Sequence, residues 1–496
     1  MIATAGSFSM DRMNEIFHEK RMGTLTLADV LEALTGVRVA TAGQPIPSAV
    51  IDSRQAIPGS LFIALPGERV DGHEFVSEAF ENGASFGLVQ EDLSSRFRQL
   101  DLRREFHVED LAGSEGGPLC LLVPDSLEAL QKIAAFWRRQ LDLHVVGITG
   151  SVGKSTTKEL VAEVLAQRYQ TLKNPGNYNN EIGLPLTLLH ATRQHEYAVL
   201  EMGFYVPGEI EFLCDLSLPQ IGVVTNIGTV HAERAGSQEA IARGKAELVH
   251  ALPPDGLAVL NFDDPWVRAM ADQTQARVFF YGLNPRADIW AEDVEGLGLE
   301  GIRFKLHYRN EVLHLRVPLI GRHSVHTALR AAAVGLNEGL TWQEIVGGLR
   351  SERTQLRLLT VQAGSGALIL DDTYNASPQS MLAALNLLEE LEGRKVAVLG
   401  DMLELGPYER QGHEMVGARA ALVVDELVTV GERGRVIAAA AARAGMPSDL
   451  ITEFPDAPAA VSFLQERLGP GDVVLVKGSH GMRMDRIVSA LEESAL

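Results

Sequence analysis

The stretch that most constrains this chain runs from His144 to Thr157 and reads HVVGITGSVGKSTT. Val145, Val146 and Ile148 form an apolar run suited to a buried strand, and Gly147, Gly150 and Gly153 open a turn. Lys154, Ser155 and Thr156 then begin a helical pattern that continues through Leu165. A strand, a glycine turn and a helix N-terminus in that order make a phosphate cradle. Glycines let backbone N–H groups close around phosphate oxygens, and the helix end adds partial positive charge. Lys154 supplies a point charge near the terminal phosphates, and the Ser155 hydroxyl can ligate Mg2+. Ile148 stands where the strict Walker pattern has glycine, so the loop is a variant.

A chain of 496 residues leaves room around such a cradle for about three domains of ordinary size. The formal net charge of −21 argues against broad binding to nucleic acid or anionic membrane, so a nucleotide must be held by local loops. The same acidic surface also serves solubility. Cys120 and Cys214 make neither a disulfide framework nor a zinc spacing, which fits core packing in a reducing cytosol. Residues 1–22 carry charges throughout and contain no apolar core segment, so they read as a ragged or disordered extension rather than a signal peptide or membrane span.

Before the cradle, TLADVLEALTG reads as a helix ended by Gly36, Ala49 to Ile51 and Leu61 to Leu65 read as strands, and FVSEAFENGASFGLV as a helix, a stop at Gly83 and a strand. Asp52-Ser53-Arg54 follows a strand end, where a polar triplet can meet a phosphate or sugar or form a solvated turn. Glu91 to Pro118 shows little periodicity and reads as an insertion. Leu127, Leu130, Ile133, Trp137 and Leu141 share one helix face, a core stripe.

After the cradle, Asn174, Asn177, Asn179 and Asn180 crowd one loop, more amides than a routine turn needs. YAVLEMG places Glu201 after an apolar run, and IGVVTNIGTVHAE does the same for Asn226 and His231. In parallel sheets ligands gather beyond the carboxyl ends of strands, so Glu201 and His231 are candidates for one crevice with Ser155, each also open to a structural role. Lys245, two residues before Glu247, reads as half of a surface ion pair. A β-meander is expected over Asp288 to Gly321, and Gly321 and His323 open an alanine-rich helix that places this loop near a base or ribose. From about Arg353, five strand-like runs alternate with helical patterns and predict a second doubly wound sheet. Asp371, Asp372, Asn375, Asp401, Glu404, Lys477 and His480 stand at its strand ends.

The ordered set TGSVGKST, NYNNEIGLP, EMG, TNIGTVHAE, KAEL, GRHS, DDTYNASP and VKGSHGMRM resembles the ATP-dependent Mur ligases of bacterial peptidoglycan synthesis, from about Leu25 to the C-terminus. DSRQAIPGSLFIALPGERVDGHEF resembles the UDP-binding domain of the tripeptide- and pentapeptide-forming members. NPGNYNNEIGLPLTLL and DDTYNASPQSM resemble the branch that adds D-alanyl-D-alanine to UDP-N-acetylmuramoyl-tripeptide, and no DNPR-like motif of the sister branch is present. The fold this implies is α/β with three domains after the 1–22 extension: a small UDP-binding domain at 23–120, a central parallel-sheet ATPase domain at 121–352 and a Rossmann-like domain at 353–496.

The resemblance implies that Thr149, Gly150, Ser151, Val152, Gly153, Lys154, Ser155 and Thr156 bind ATP, and that Arg357 and Asp372 contact its phosphate and ribose. Ser155 and Glu201 would hold one Mg2+ and His231 a second. Lys245 matches the lysine that the family carbamylates with CO2, which turns a cation into a carboxylate able to support that second metal. Lys154, Asn180, His231 and Lys245 would serve catalysis, with Asn180 beside the reacting carboxylate. Ser53, Asn179, Asn180 and Lys477 would meet the substrates. The enzyme implied is cytoplasmic and monomeric, with neither nucleic-acid partner nor membrane insertion. Its adenine-side loop departs from the family's HNxxNALAA: Ser324 and Thr327 replace both asparagines, and Ser377 replaces the asparagine of YNANP. Three other readings stay open at this point: a sister ligase adding the third amino acid, a folylpolyglutamate-synthase-like enzyme, and a non-catalytic nucleotide-binding subunit.

Overall fold

A computed structural model describes residues 23–67, 70–111, 117–229, 232–351 and 359–493. The extension at 1–22 lies outside them. The chain divides into two compact units, Met1–Val145 with Tyr169–Leu200 and Phe212–Leu218, and Val146–Arg168 with Glu201–Glu211 and Pro219–Leu496.

In the first unit Thr26 and Asp29 form a capping box for helix Leu27–Thr35, and Gly36 ends it at φ 75°, a left-handed conformation that glycine adopts without a Cβ penalty. A parallel five-stranded sheet follows in the order Ala49–Val50, Leu61–Ile63, Phe86–Val89, Leu119–Leu122, Arg98–Asp101. The last of these corrects the reading of Glu91 to Pro118 as an insertion. Arg98–Asp101 is an edge strand with only Leu100 buried, too thin an apolar pattern to stand out in sequence. Helix Ser126–Arg139, capped by Asp125, buries Leu130, Ile133 and Trp137, and the Trp137 indole donates to the Ala191 carbonyl at 2.9 Å. That bond satisfies the one polar atom of the stripe.

In the second unit the cradle strand His144–Thr149 pairs in parallel with Ile221–Val224 through Val146 to Thr149. Leu257–Asn261, Arg277–Gly282 and Ile289–Gly296 continue the parallel order, and Ile302–Tyr308 and Glu311–Val317 close it as the expected antiparallel meander. Ile221–Val224 and Leu257–Asn261 are buried along their whole length, as strands covered on both faces must be.

A six-stranded sheet runs Leu359–Gln362, Leu368–Asp372, Asp472–Lys477, Arg394–Gly400, Glu426–Val430, Ile451–Phe454, parallel except for its first pair. Leu370, Leu399, Leu427 and Leu475 enter one core, and Ile369, Val398, Val428 and Val474 enter another. That alternation covers both faces with helices, which is the doubly wound arrangement. Five of these strands match the expected runs. The sixth, Ile451–Phe454, is a partly exposed edge without a continuous apolar run. Among the described residues no helix is long and apolar enough to cross a membrane.

Candidate active site

The cradle is held from beneath by the neighbouring strand end. Gly150 has φ 142°, and a Cβ there would lie 1.8 Å from Thr225 Oγ1, so only glycine lets the loop pass. The Thr225 hydroxyl donates to the Val152 carbonyl at 2.7 Å. Asn226 grips the same residue from both sides: its Oδ1 accepts from the Val152 N–H at 3.1 Å and its Nδ2 donates to the Val152 carbonyl at 3.0 Å. Gly228 N–H donates to the Ser151 hydroxyl at 2.8 Å, and Thr149 Oγ1 donates to the Met202 carbonyl at 3.2 Å. Sequence placed Asn226 at a strand end near the site but not as the clamp of the cradle. Helix Lys154–Leu165 starts straight after Gly153, at φ 83°, with no side-chain cap, the arrangement that suits an anion at a helix end.

Behind the loop the Ser155 hydroxyl donates to the Glu201 carboxylate, with the two residues 6% and 3% exposed. A hydroxyl and a carboxylate are hard oxygen donors, the set that Mg2+ takes. Lys154 Nζ and Lys245 Nζ both donate to the Gly150 carbonyl, at 2.9 and 3.2 Å. Lys245 is 1% exposed and its amine stands 4.6 Å from the centre of the Phe204 ring. Burial, followed by the charge of Lys154, holds its pKa well below the lysine range, against a weaker opposing pull from Glu209. The surface ion pair expected with Glu247 does not form. Residues two apart on a helix face different ways, and Glu247 instead accepts from Gly208 N–H at 2.7 Å and Glu211 N–H at 3.0 Å. His231 and Arg357 lie outside the described residues.

Lys477 and Asp372, expected in separate roles, form an ion pair at 2.7 Å, and Lys477 Nζ also donates to the Asn375 carbonyl at 2.8 Å. The lysine thereby pins the DDTYN loop. Asp401 accepts from Gly434 N–H at 2.8 Å, the first amide of helix Gly434–Arg443.

Within the first unit Ser53 opens the short turn Ser53–Gln55, capped by Asp52, and its hydroxyl donates to Glu78 at 2.9 Å. Asn174 donates to the Tyr178 carbonyl at 2.7 Å, and Asn180 Oδ1 accepts from Gly183 N–H at 2.9 Å. Two of the four crowded asparagines thus do turn chemistry, while the Asn179 N–H donates to the Asn177 carbonyl at 2.7 Å. Asp71, His73 and Glu91 cluster closely enough to suggest a cation site. However, His73 Nδ1 lies 2.6 Å from Asp71 and its Nε2 accepts from Gln90 N–H at 3.0 Å, so both ring nitrogens are engaged.

Three family models match the chain: the Mur ligase family catalytic domain over residues 46–105, the Mur ligase middle domain over 148–335, and the Mur ligase glutamate ligase domain over 356–480. The chain belongs to the Mur ligase family, with three α/β regions as that resemblance implied. The UDP-N-acetylmuramoyl-tripeptide--D-alanyl-D-alanine ligase of Bacillus subtilis (strain 168) is 37% identical to it over 456 residues, 91% of this chain and 94% of that one. Among solved structures, MurF from Acinetobacter baumannii aligns with a TM-score of 0.79 at 30% identity, over 95% of this chain and all of its own, 100%. MurF from Thermotoga maritima in complex with ADP aligns with a TM-score of 0.73 at 27% identity, over 94% and 99% of the two chains.

Proposed function

We infer that this chain is an ATP-dependent, ADP-forming ligase that joins D-alanyl-D-alanine to UDP-N-acetylmuramoyl-tripeptide, giving the pentapeptide precursor of peptidoglycan. The observation that carries the reading is likeness along nearly the full length, 94%, of a relative named for that activity. The cradle supports it: Lys154 and Lys245 both donate to the Gly150 carbonyl, and Ser155 donates to Glu201.

A carboxylate has no good leaving group, so amide formation requires activation. The tripeptide's terminal carboxylate oxygen attacks the γ-phosphorus of ATP, the bond to the β-bridging oxygen breaks, and ADP leaves with the electron pair. The dipeptide's amine then attacks the acyl-phosphate carbonyl, loses a proton, and expels inorganic phosphate. Backbone N–H groups from Gly150 to Thr156 orient the phosphates, and Lys154 offsets negative charge on the transferring group once it turns from the Gly150 carbonyl. Ser155 and Glu201 would hold Mg2+, which when bound neutralises phosphate charge. Arg357 and Asp372 serve the nucleotide. Ser53, Asn179 and Asn180 serve the UDP precursor, and Lys477 orders the loop facing the acceptor.

Lys245 is suited to carbamylation because burial, followed by the charge of Lys154, lowers its pKa and so favours the neutral amine that CO2 requires. A neutral amine adds to CO2 through its lone pair and releases one proton, leaving a carbamate anion. With His231 that anion would support a second Mg2+. The domains proposed are 23–120, 121–352 and 353–496, acting as a cytoplasmic monomer. Tripeptide labelled with 18O in its terminal carboxylate tests the chemistry: one label per released phosphate is expected, and unlabelled phosphate would refute the acyl-phosphate route.

A further inference from the structure

A buried guanidinium stands against the cradle at a position that the motifs did not mark. Arg330 lies in helix Val325–Asn337 and is 4% exposed. Its Nη2 donates to the Thr327 hydroxyl at 2.7 Å and its Nη1 to the Tyr281 hydroxyl at 3.2 Å, while its Nε, also buried, has no hydrogen-bond partner among the described residues. Tyr281 offers its ring face as well, 5.5 Å from the guanidinium carbon. None of these partners carries a negative charge. The carboxylates that act on Tyr281, Asp263 and Asp264, are committed elsewhere. Asp263 meets His326 at 3.0 Å, and Asp264 accepts from Ile227 N–H at 2.8 Å and Trp266 N–H at 2.9 Å.

The place of this cation is telling. A Cβ on Gly153 would lie 3.4 Å from Arg330 Nη2, so the guanidinium abuts the residue from which the phosphate-binding helix starts. The positive end of that helix meets the guanidinium, and like charges gathered out of water are unfavourable until an anion joins them. The loop's hydroxyls are already used internally. Ser324 donates to the Ile320 carbonyl at 2.7 Å, and Thr327 accepts from Arg330. A base edge would therefore find little amide-like recognition here, whereas a phosphate chain would find a preset cation with an unused donor.

We propose that Arg330 is a nucleotide-binding residue whose guanidinium neutralises the phosphate chain of ATP from the Gly153 side, compensating in charge for the asparagines replaced by Ser324 and Thr327. This rests on the ATP-dependent reading above. ADP binding is measured by calorimetry over a KCl series for the full chain, Arg330→Met and Arg330→Lys, with each variant's melting temperature recorded. A hydrogen bond to a charged group corresponds to about 10-fold or more in affinity. Arg330→Met is expected to weaken ADP binding by about that factor and to flatten its salt dependence, and Arg330→Lys to keep the salt dependence and regain part of the affinity. Unchanged affinity and salt slope in Arg330→Met would overturn the proposal, as would equal weakening in both variants with the wild-type slope. Absence of ADP binding in the wild-type chain would instead remove the ATP reading and this inference with it.

Discussion

Replacing Lys245 by methionine isolates the electrostatics of the cradle. In the fold this amine is fully buried beside Lys154 and its pKa is pushed well below the lysine range, chiefly by burial. In the unfolded chain it titrates near the ordinary value of about 10.4. Between the depressed folded pKa and about 10.4 the unfolded state therefore holds one proton more than the fold. Wild-type stability is intact above that window and falls as pH drops through it, by about 1.4 kcal/mol per pH unit. Methionine keeps the length of the side chain and removes the titration. Relative to wild type, Lys245→Met should gain stability as pH falls through that window, by about 1.4 kcal/mol per unit, while ligase activity is lost. Urea midpoints of both proteins, measured in CO2-free buffer at several pH values, read this directly. Parallel pH curves would show that Lys245 keeps its proton in the fold, and the argument for a neutral amine able to take up CO2 would fail.

Three further substitutions probe the same cradle. Gly150→Ala places a methyl 1.8 Å from Thr225 Oγ1 at φ 142°, so a cost of about 2–5 kcal/mol and loss of ADP binding are expected; a variant melting and binding like wild type would contradict the clamp. Asn226→Ala strips both polar contacts from Val152, for a loss of about 1–3 kcal/mol in thermal unfolding and weaker ADP binding. Glu201→Gln can still accept from Ser155, so its melting temperature should stay near wild type while the Mg2+ concentration for half-maximal turnover rises about 10-fold or more; an unchanged Mg2+ requirement would remove Glu201 from the metal site.

Sequence patterns located what is strongly periodic or strongly apolar. The cradle strand ends at Thr149 and the helix spans Lys154–Leu165 as expected, because an apolar run, three glycines and a helical pattern adjoin. The edge strands Arg98–Asp101 and Ile451–Phe454 escaped notice because little of either is buried. Contacts between distant segments were beyond any local pattern. The local pattern around Lys245 reads as a surface pair, and only its match to the family's carbamylated lysine points it inward, while the pair Lys477 and Asp372 joins strands that only the sheet register brings side by side. Arg330 left one faint trace, a charge on an otherwise alanine-rich helical face.

The most direct measurement is phosphate release from ATP and Mg2+ by the purified chain with UDP-N-acetylmuramoyl-tripeptide, with and without D-alanyl-D-alanine, followed by the product's mass. Release that requires the dipeptide, with a product heavier by that dipeptide less one water, is the predicted result. Turnover instead with a single amino acid on UDP-N-acetylmuramoyl-dipeptide would contradict it and place the chain with the sister ligases.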